Sequence, residues 1–356
     1  MRVLMLSAQG DGLGLAQKMQ EEGHKVKVWI SDSQYRLAGQ GLVERVSSWR
    51  PHMANADLIL ADTVGFDHLY SLLRSRNQVT LGFHPLSRLE LQREAGLYLL
   101  EENGLAIPEE AEALEGIEII AEGWFNGRDW ITPFTHTFEE KRFLYKNMGQ
   151  VTDCMGNVVL ALKRPNKLVK ETLLKLTAAL RSEGYRGPLG ISCIVTEDKA
   201  YALKPFISFS YDALEALMEG LMEPVSDVIF ETAQGTKKNM DVSWDYLIAV
   251  RMTIPPWPMA KPDPKLAGVP VLGLHAENLK HIYLTDVYKQ GSDYFWAAGD
   301  GVVLKATAHG RDVEEVRRRV YRTLDSVSML DKQYRLDIGK RVNSDLAQLR
   351  SWGWLD

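Results

Sequence analysis

The sequence predicts an α/β protein that opens with a small doubly wound sheet, continues into a core built on a long β-hairpin and closes with an α+β segment. Three observations carry that reading. The chain starts with an apolar run, a glycine-rich turn, a helical stretch and a second strand, which together make a right-handed βαβ unit. Asn126-Gly127 lies between two β-prone runs, the strongest short signal for a hairpin. A chain of 356 residues exceeds what one hydrophobic core supports, so two or three packed units are expected.

Composition excludes several classes. With 45% hydrophobic and 25% charged residues the chain reads as an ordinary globular protein, without repeats or low-complexity segments. A formal net charge of −5 argues against a generally basic nucleic-acid binder and leaves only a local basic surface open. Cys154 and Cys193 lack metal-ligand spacing and suit a reducing compartment. No apolar run reaches the length of a membrane span, and Met1-Arg2 leads into a strand rather than a signal peptide. A cytoplasmic protein is expected.

In chain order, RVLMLSA has no polar alternation, as in a strand buried on both faces. The turn Gln9-Gly10-Asp11-Gly12-Leu13-Gly14 leads into LAQKMQEEG, with helical spacing and a stop at Gly23, and KVKVWI resumes as strand. Gly10, Asp11, Gly12 and Gly14 are candidate phosphate-binding residues, because backbone N–H groups at a helix N-terminus suit an anion; the alternative is a turn that needs glycine for its backbone angles. ADLILAD and QVTLGF, separated by FDHLYSLLRSR, complete a doubly wound sheet over residues 1–85. Asp62 and His84 end strands, where ligands of open sheets bind, but an Asp there is more often a helix cap and a His before Pro85 suits a turn, so neither is taken as a site residue.

SRLELQREAGLYLLEENG reads as one helix ending at Gly104. Residues 122–156 read as a strand, the Asn126-Gly127 turn, a return strand and then a loop, GQVTDCMG, whose Gly149, Thr152 and Gly156 allow close approach to a ligand. Glu139, Glu140, Lys141 and Arg142 put two acids and two bases before it. Trp124, Phe125, Trp130 and Phe134 are expected in the core.

EEKR followed by GQVTDCMG resembles the paired motifs of phosphoribosylamine-glycine ligase (glycinamide ribonucleotide synthetase), an HKR-type triplet and a GPNTGGMG loop. Lys141, Arg142, Gly149, Thr152, Met155 and Gly156 match; Gln150, Val151, Asp153 and Cys154 depart. Residues 269–342 resemble the same family's C-terminal domain, with Gly301, Thr307, Ala308, Gly310, Tyr334, Arg335, Asp337, Ile338 and Gly339 on matching positions. The resemblance implies an ATP-grasp-like fold: an N-terminal doubly wound (pre-ATP-grasp) domain at 1–85, a linking helix and truncated lid at 86–122, the core at 123–265 and a C-terminal α+β domain at 266–356. It also places the first glycine turn near a phosphoribosyl substrate.

Two departures bear on chemistry. Where ATP-grasp enzymes insert a lid domain that closes over the triphosphate, this chain runs from Pro108 through EEAEALEGIEII to Glu122, enough for an acidic helical turn at 109–115 and one strand. In place of the family's E-F-N-x-R-F pattern stand Lys204, Pro205, Phe206 and Ser208, with only Phe209 retained. Magnesium at a phosphoryl-transfer site needs carboxylate oxygens, which Lys204 cannot supply. A lysine there either replaces the metal's charge toward a phosphate or is a solvated strand-end side chain. For Lys141 and Arg142 the alternative is a charged hairpin edge.

The expected function is therefore a repurposed one, in which glycine or a similar small amine displaces phosphate or pyrophosphate from an activated nucleotide or a base in DNA. Lys141, Arg142 and Lys204 would be catalytic, holding the departing anion. Glu140, Gly149, Thr152, Asp153, Met155, Gly156, Asp212, Arg335 and Asp337 would bind substrate. No cofactor and no metal ligand are expected; ATP and magnesium enter only under the alternative, an ATP-dependent phosphoribosylamine-glycine ligase. A third reading is a non-catalytic binding protein. The locally basic segment 141–175 suits either a solvated helix face or a polyanion such as DNA. Asp153 and Lys204 should converge on one pocket if the site is intact.

Overall fold

The computed structural model describes residues 1–111, 114–210 and 212–355. The acidic turn expected at 109–115 falls partly on Glu112 and Ala113, outside the described residues.

Strands β1 (Arg2–Ser7), β2 (Lys25–Ile30), β3 (Glu44–Arg45), β4 (Leu58–Ala61) and β5 (Thr80–Leu81) form a parallel sheet in the order β3-β2-β1-β4-β5. The apolar run of β1 is buried from Val3 to Ser7, as a strand covered on both faces requires. Helices α1 (Leu13–Glu21) and α2 (Tyr70–Ser75) belong to this unit. Strand order reverses between β1 and β4, so the carboxyl ends of those two strands are where an open sheet offers a crevice.

The single helix expected after Ser87 is two, α3 (Arg88–Leu91) and α4 (Arg93–Glu102), broken at Gln92. Gly96 explains the tight return: a Cβ there would lie 2.6 Å from the Leu89 carbonyl oxygen. Ala106 then bridges to Tyr201, and β6 begins at Ile117.

The core is one antiparallel sheet of eight strands. β6 (Ile117–Asn126), β7 (Trp130–Leu144), β8 (Met148–Ala161), β9 (Arg186–Val195), β10 (Ala200–Phe206), β11 (Tyr246–Thr253), β12 (Ile282–Leu284) and β15 (Val302–Gly310) run in the order β10-β9-β6-β7-β8-β11-β15-β12. A separate hairpin joins β13 (Val287–Gln290) to β14 (Asp293–Trp296). The sheet is continuous across the boundary expected at 265/266, because β15 pairs with β11 along its whole length.

The remaining helices are α5 (Lys167–Glu171), α6 (Thr177–Glu183), α7 (Ala213–Gly220), α8 (Val225–Gln234), α9 (Ala276–Leu279), α10 (Val313–Ser326) and α11 (Val342–Ser351). Val316, Val320 and Leu324 of α10 pack with Val250 and Leu304 in one core cluster. Leu217 of α7 and Ile229 of α8 pack with Leu247, Ala249 and with Leu13 and Ala16 of α1 in another. That shared cluster seats the parallel sheet against the long one. The four hairpin aromatics behave as expected, with Trp124, Phe125 and Phe134 buried and Trp130 donating its indole N–H to the Thr177 hydroxyl at 3.0 Å.

Candidate functional site

The Asn126-Gly127 turn forms as the dipeptide dictates. The Asn126 side-chain oxygen accepts from the amides of Arg128 and Asp129 at 3.0 and 2.9 Å, and Gly127 takes a φ of 96°. The glycine loop does not form as a loop. Residues 148–161 are strand β8, and the hairpin turns earlier, at Tyr145–Asn147. The register jumps from Glu140↔Gly156 to Arg142↔Val151, so that Thr152, Asp153, Cys154 and Met155 arch opposite Lys141 alone. The Thr152 hydroxyl ties the arch by donating to the Lys141 carbonyl at 2.6 Å.

The arch divides its residues. Asp153 turns outward, while Met155 enters the core. Gly156 is a packing residue rather than a ligand contact: a Cβ would stand 2.7 Å from the Ala249 carbonyl oxygen and 2.9 Å from Ile338. Gly149, with φ 78°, serves the turn.

Behind the arch lies a buried group of four charges. Arg251 of β11 and Lys305 of β15 face each other across the ladder. Asp212, at the entrance to α7 with φ 62°, takes Arg251 Nε on Oδ2 at 2.6 Å and Lys305 Nζ on Oδ1 at 3.1 Å. Lys305 Nζ also reaches Glu215 Oε1 at 2.8 Å. Burial alone would lower the Lys305 pKa, but Glu215 and Asp212 outweigh it and the net shift is upward. Two cations and two carboxylates thus leave the group neutral.

Arg251 and Lys305 form one wall of a cavity of about 230 Å³ at the carboxyl ends of β1 and β4. Gln9, Asp11, Thr63, Asp153, Thr285, Asp286 and Asp300 line it with Tyr35, Trp257 and Val302. Burial pushes Asp300 up to about 6 and raises Asp11 against the pull of Lys305 and Arg251. Asp286 is fixed by the amides of Gly299, Asp300 and Gly301 and by the Trp296 indole N–H.

The first glycine turn does not present the expected phosphate cradle. The Gly12 amide donates to buried Asp62 at 2.8 Å, and a Cβ on Gly12 would lie 2.7 Å from the Asp62 Cβ. Gly14 lies inside α1, where it lets Tyr283 close in: a Cβ would stand 2.8 Å from the Tyr283 Cβ. The Gly10 amide is taken by the Ser7 hydroxyl at 2.6 Å. Asp11 faces the cavity with a carboxyl group, which repels an anion. The turn holds two sheets together and offers the cavity an acid. His84 is a turn residue, its Nδ1 accepting from the Leu86 amide at 3.2 Å.

Lys141 and Lys204 share a pocket. Both line a second pocket of about 360 Å³ with Glu90, Arg93, Ser192 and Phe206. A bulge at Leu203 brings Lys204 opposite Ser192, and Glu90 Oε2 anchors the strand's exit by accepting from the Ile207 amide at 2.8 Å and the Ser208 hydroxyl at 2.7 Å. Lys204 Nζ rests 4.9 Å over the Phe206 ring. Asp153 lines the other cavity, so the expected convergence of Asp153 with Lys204 does not occur.

Glu139 stands between the two sites. Lys141 Nζ is 3.5 Å from its Oε2, and of the buried group Asp212 raises and Arg251 lowers the Glu139 pKa. Burial pushes Glu139 up to about 7, with Lys141 opposing. Glu122, half-buried and hydrogen-bonded to Thr137, is also raised by desolvation of its carboxyl.

Glu140 and Arg142, one residue out of phase, leave by the opposite face. Glu140 accepts from Arg341 Nε at 2.7 Å and lies 3.4 Å from Arg335. Arg335 makes a two-point pair with Asp337 at 2.8 Å each and donates to the Arg142 carbonyl at 2.9 Å. Arg142 itself donates to the Gly149 carbonyl at 2.8 Å. Glu140, Arg335 and Asp337, expected to bind substrate, therefore clamp the chain's last segment to the hairpin, and Arg142, expected to hold the departing anion, braces the hairpin's own turn; strand alternation sends Glu140 and Arg142 away from both cavities.

The basic segment is dispersed rather than a single stripe. Lys167 lies 4.0 Å over Trp354, and Lys175 pairs with Glu171 at 2.8 Å and donates to the Gly104 carbonyl. Among the described residues no cluster of three His, Cys, Asp or Glu is placed to hold a metal ion, and no helix is long and apolar enough to cross a membrane. Lys204 falls at the position the resemblance assigns to a metal-binding acid, and only residues 109–116 lie between Pro108 and β6.

The sequence reading passed over Arg251, Lys305, Asp300 and Tyr35, and named Glu139 only as one of two acids before the glycine segment. A lone cation inside IAVRMT and another inside VVLKATA were the available signals, since a charge in an otherwise apolar strand is buried only with a partner.

No protein-family model matches the chain. It is 24% identical over 233 residues to the phosphoribosylamine-glycine ligase of Caldanaerobacter subterraneus, a match covering 64% of this chain and 55% of that protein. The corresponding enzyme of Rhizobium meliloti is 22% identical over 246 residues, covering 64% and 57%. The matches thus span little more than half the length of these curated relatives. Among solved structures, phosphoribosylamine-glycine ligase from Thermotoga maritima superposes with a TM-score of 0.73 at 17% identity, covering 95% of this chain and 100% of that one. Biotin carboxylase from Campylobacter jejuni gives 0.62 at 12% identity, covering 98% and 96%. The parallel and antiparallel sheets just described are those of an ATP-grasp protein, and the chain is a divergent relative of the phosphoribosylamine-glycine ligases.

Proposed function

We propose that the protein transfers a small amine, glycine or one like it, to a phosphorylated or pyrophosphorylated acceptor without consuming a nucleotide. The observation that carries this is the convergence of Lys141 and Lys204 on one pocket, where two cations suit a departing anion. In the step envisaged, the amine nitrogen attacks the acceptor carbon that bears the phosphate or pyrophosphate. A C–N bond forms, the C–O bond breaks with its electron pair leaving on the anion, and the anion departs toward Lys141 and Lys204. The proton lost by the amine goes to Glu139, whose carboxyl titrates near 7 and lies 3.5 Å from Lys141.

ATP-dependent ligation of glycine to phosphoribosylamine is the second reading, favoured by the names of the curated relatives. It requires a divalent ion and a nucleotide clamp, against which stand Lys204 and the short 109–116 connection. Release of phosphate or pyrophosphate from pyrophosphorylated nucleotides and from DNA bearing such a base, in the presence of labelled glycine, separates the two. Transfer should proceed without ATP, fall at least a hundredfold in Lys141→Ala and Lys204→Ala, and survive in Arg142→Ala. Transfer that depends on ATP, or that both lysine variants leave intact, sinks the proposal.

A further inference from the structure

The pocket that Lys141 and Lys204 share has a third cation on its wall, Arg93, and two contacts fix where Arg93 stands. Glu90 of α3 accepts from the Ile207 amide at 2.8 Å and from the Ser208 hydroxyl at 2.7 Å, which ties the α3–α4 elbow to the exit of β10. Gly96 seats the first turn of α4 on the same strand: a Cβ there would stand 3.1 Å from Cγ of Pro205, the residue next to Lys204. Arg93 precedes Gly96 by one helical turn and shares its face of α4. The elbow therefore carries Arg93 to the pocket beside Lys204.

The cations of this pocket are not all paired. Lys141 has Glu139 at 3.5 Å. Lys204 has the Phe206 ring, 4.9 Å from its Nζ, and makes no hydrogen bond or ion pair among the described residues. The Arg93 side chain makes none either. Glu90, which lines the same pocket, turns Oε2 to Ile207 and Ser208 and is in ion-pair contact with none of the three. Helix chemistry does not account for Arg93. It is the first residue of α4, where the macrodipole disfavours a cation, and Gly96 and Leu97, three and four positions on, offer it no acid. A cation kept at that position against the helix points to an anion in the pocket.

We infer that Arg93 is a third anion-holding residue of this pocket, and that it serves an anion of two linked phosphoryl groups rather than one. Lys141, Lys204 and Arg93 stand on three elements, β7, β10 and α4, around about 360 Å³. A single phosphoryl group is compact, whereas two linked ones carry more charge and spread it, which suits cations on separate walls. A guanidinium also takes two phosphoryl oxygens at once, which an ammonium does not. The inference rests on the amine-transfer reading for treating this anion as the leaving group, and on the pocket alone for its binding.

Calorimetric titration of the whole protein with sodium pyrophosphate and with sodium phosphate, in a chelating buffer without amine or acceptor, tests it. Pyrophosphate should bind saturably and about tenfold more tightly than phosphate. Arg93→Ala should weaken pyrophosphate about tenfold and phosphate less than about threefold, and Arg93→Lys should restore part of the difference. Arg93 is exposed, so thermal unfolding should not change. A residue that only braced the elbow would move both anions alike. No pyrophosphate binding, equal losses for the two anions, or wild-type pyrophosphate affinity in Arg93→Ala would each overturn the inference. Pyrophosphate binding lost in Lys141→Ala and Lys204→Ala but kept in Arg93→Ala would overturn the role of Arg93 and leave the transfer reading standing. Arg93-dependent binding in a protein that transfers no amine would do the reverse.

Discussion

Arg251 and Lys305 are direct cross-strand partners, two buried cations side by side in adjacent strands of one sheet. Such a pair repels, and it persists here because Asp212 and Glu215 reach in from the start of α7. The arrangement fixes α7 against β11 and β15 and so sets the wall of the cavity.

Truncating one member should therefore cost more than its packing. Lys305→Ala strips Glu215 of the only cation paired with it among the described residues, and breaking a buried pair costs about 3–5 kcal/mol. Lys305→Met with Glu215→Gln, which removes both charges, should recover much of that loss. Urea unfolding of the three proteins measures it; a Lys305→Ala loss under about 1 kcal/mol would mean that the charges are solvated.

Gly14 offers a sharp contrast between its two readings. In a helix, alanine for glycine ordinarily gains up to about 1 kcal/mol. Here the added Cβ meets the Tyr283 Cβ at 2.8 Å, and overpacking of that kind costs about 1–3 kcal/mol. Gly14→Ala should lower the melting temperature and loosen α1 from β12, read by hydrogen exchange. A stabilised variant would show that the contact relaxes freely.

Glu139 predicts a pH dependence of known sign. Its folded pKa, about 7, lies above the usual glutamate value of 4.5, so the folded state holds a proton that the unfolded chain has lost between those limits. Wild-type stability from this group is therefore full below about pH 4.5 and declines as pH rises toward 7. Glu139→Gln removes the dependence. Its stability relative to wild type should rise by about 2–3 kcal/mol from pH 4.5 to pH 8 and then level off. Denaturant unfolding at the two pH values decides; no change, or a change of opposite sign, would place Glu139 in solvent or in a tight ion pair.

Much of the fold was legible because local chemistry and packing agree. Asn126-Gly127 has few structures open to it other than the turn it makes, and the unbroken apolar run of β1 demands cover on both faces. The GQVTDCMG segment misled because glycines at both ends look like loop punctuation, whereas Gly149 serves a turn and Gly156 serves close packing with Ile338 on a strand. Glu140 and Glu139 are neighbours in sequence, and only strand alternation, invisible until the register is known, sends one to the Arg335–Arg341 clamp and the other toward Lys141. Lys141 and Lys204 were found through motif positions. Tyr35 carried no signal at all, since the cavity it lines forms only when the fold brings β1's crevice against the far strands.

The proposed transfer runs on an ATP-grasp fold without a nucleotide. Calorimetric titration with ATP, with and without magnesium, addresses it most directly. The proposal predicts no saturable, magnesium-dependent heat, since Lys204 falls where the resemblance puts a metal-binding acid and only residues 109–116 lie between Pro108 and β6. Saturable binding that requires magnesium and is lost on removing it would contradict the account and return the protein to ATP-driven ligation.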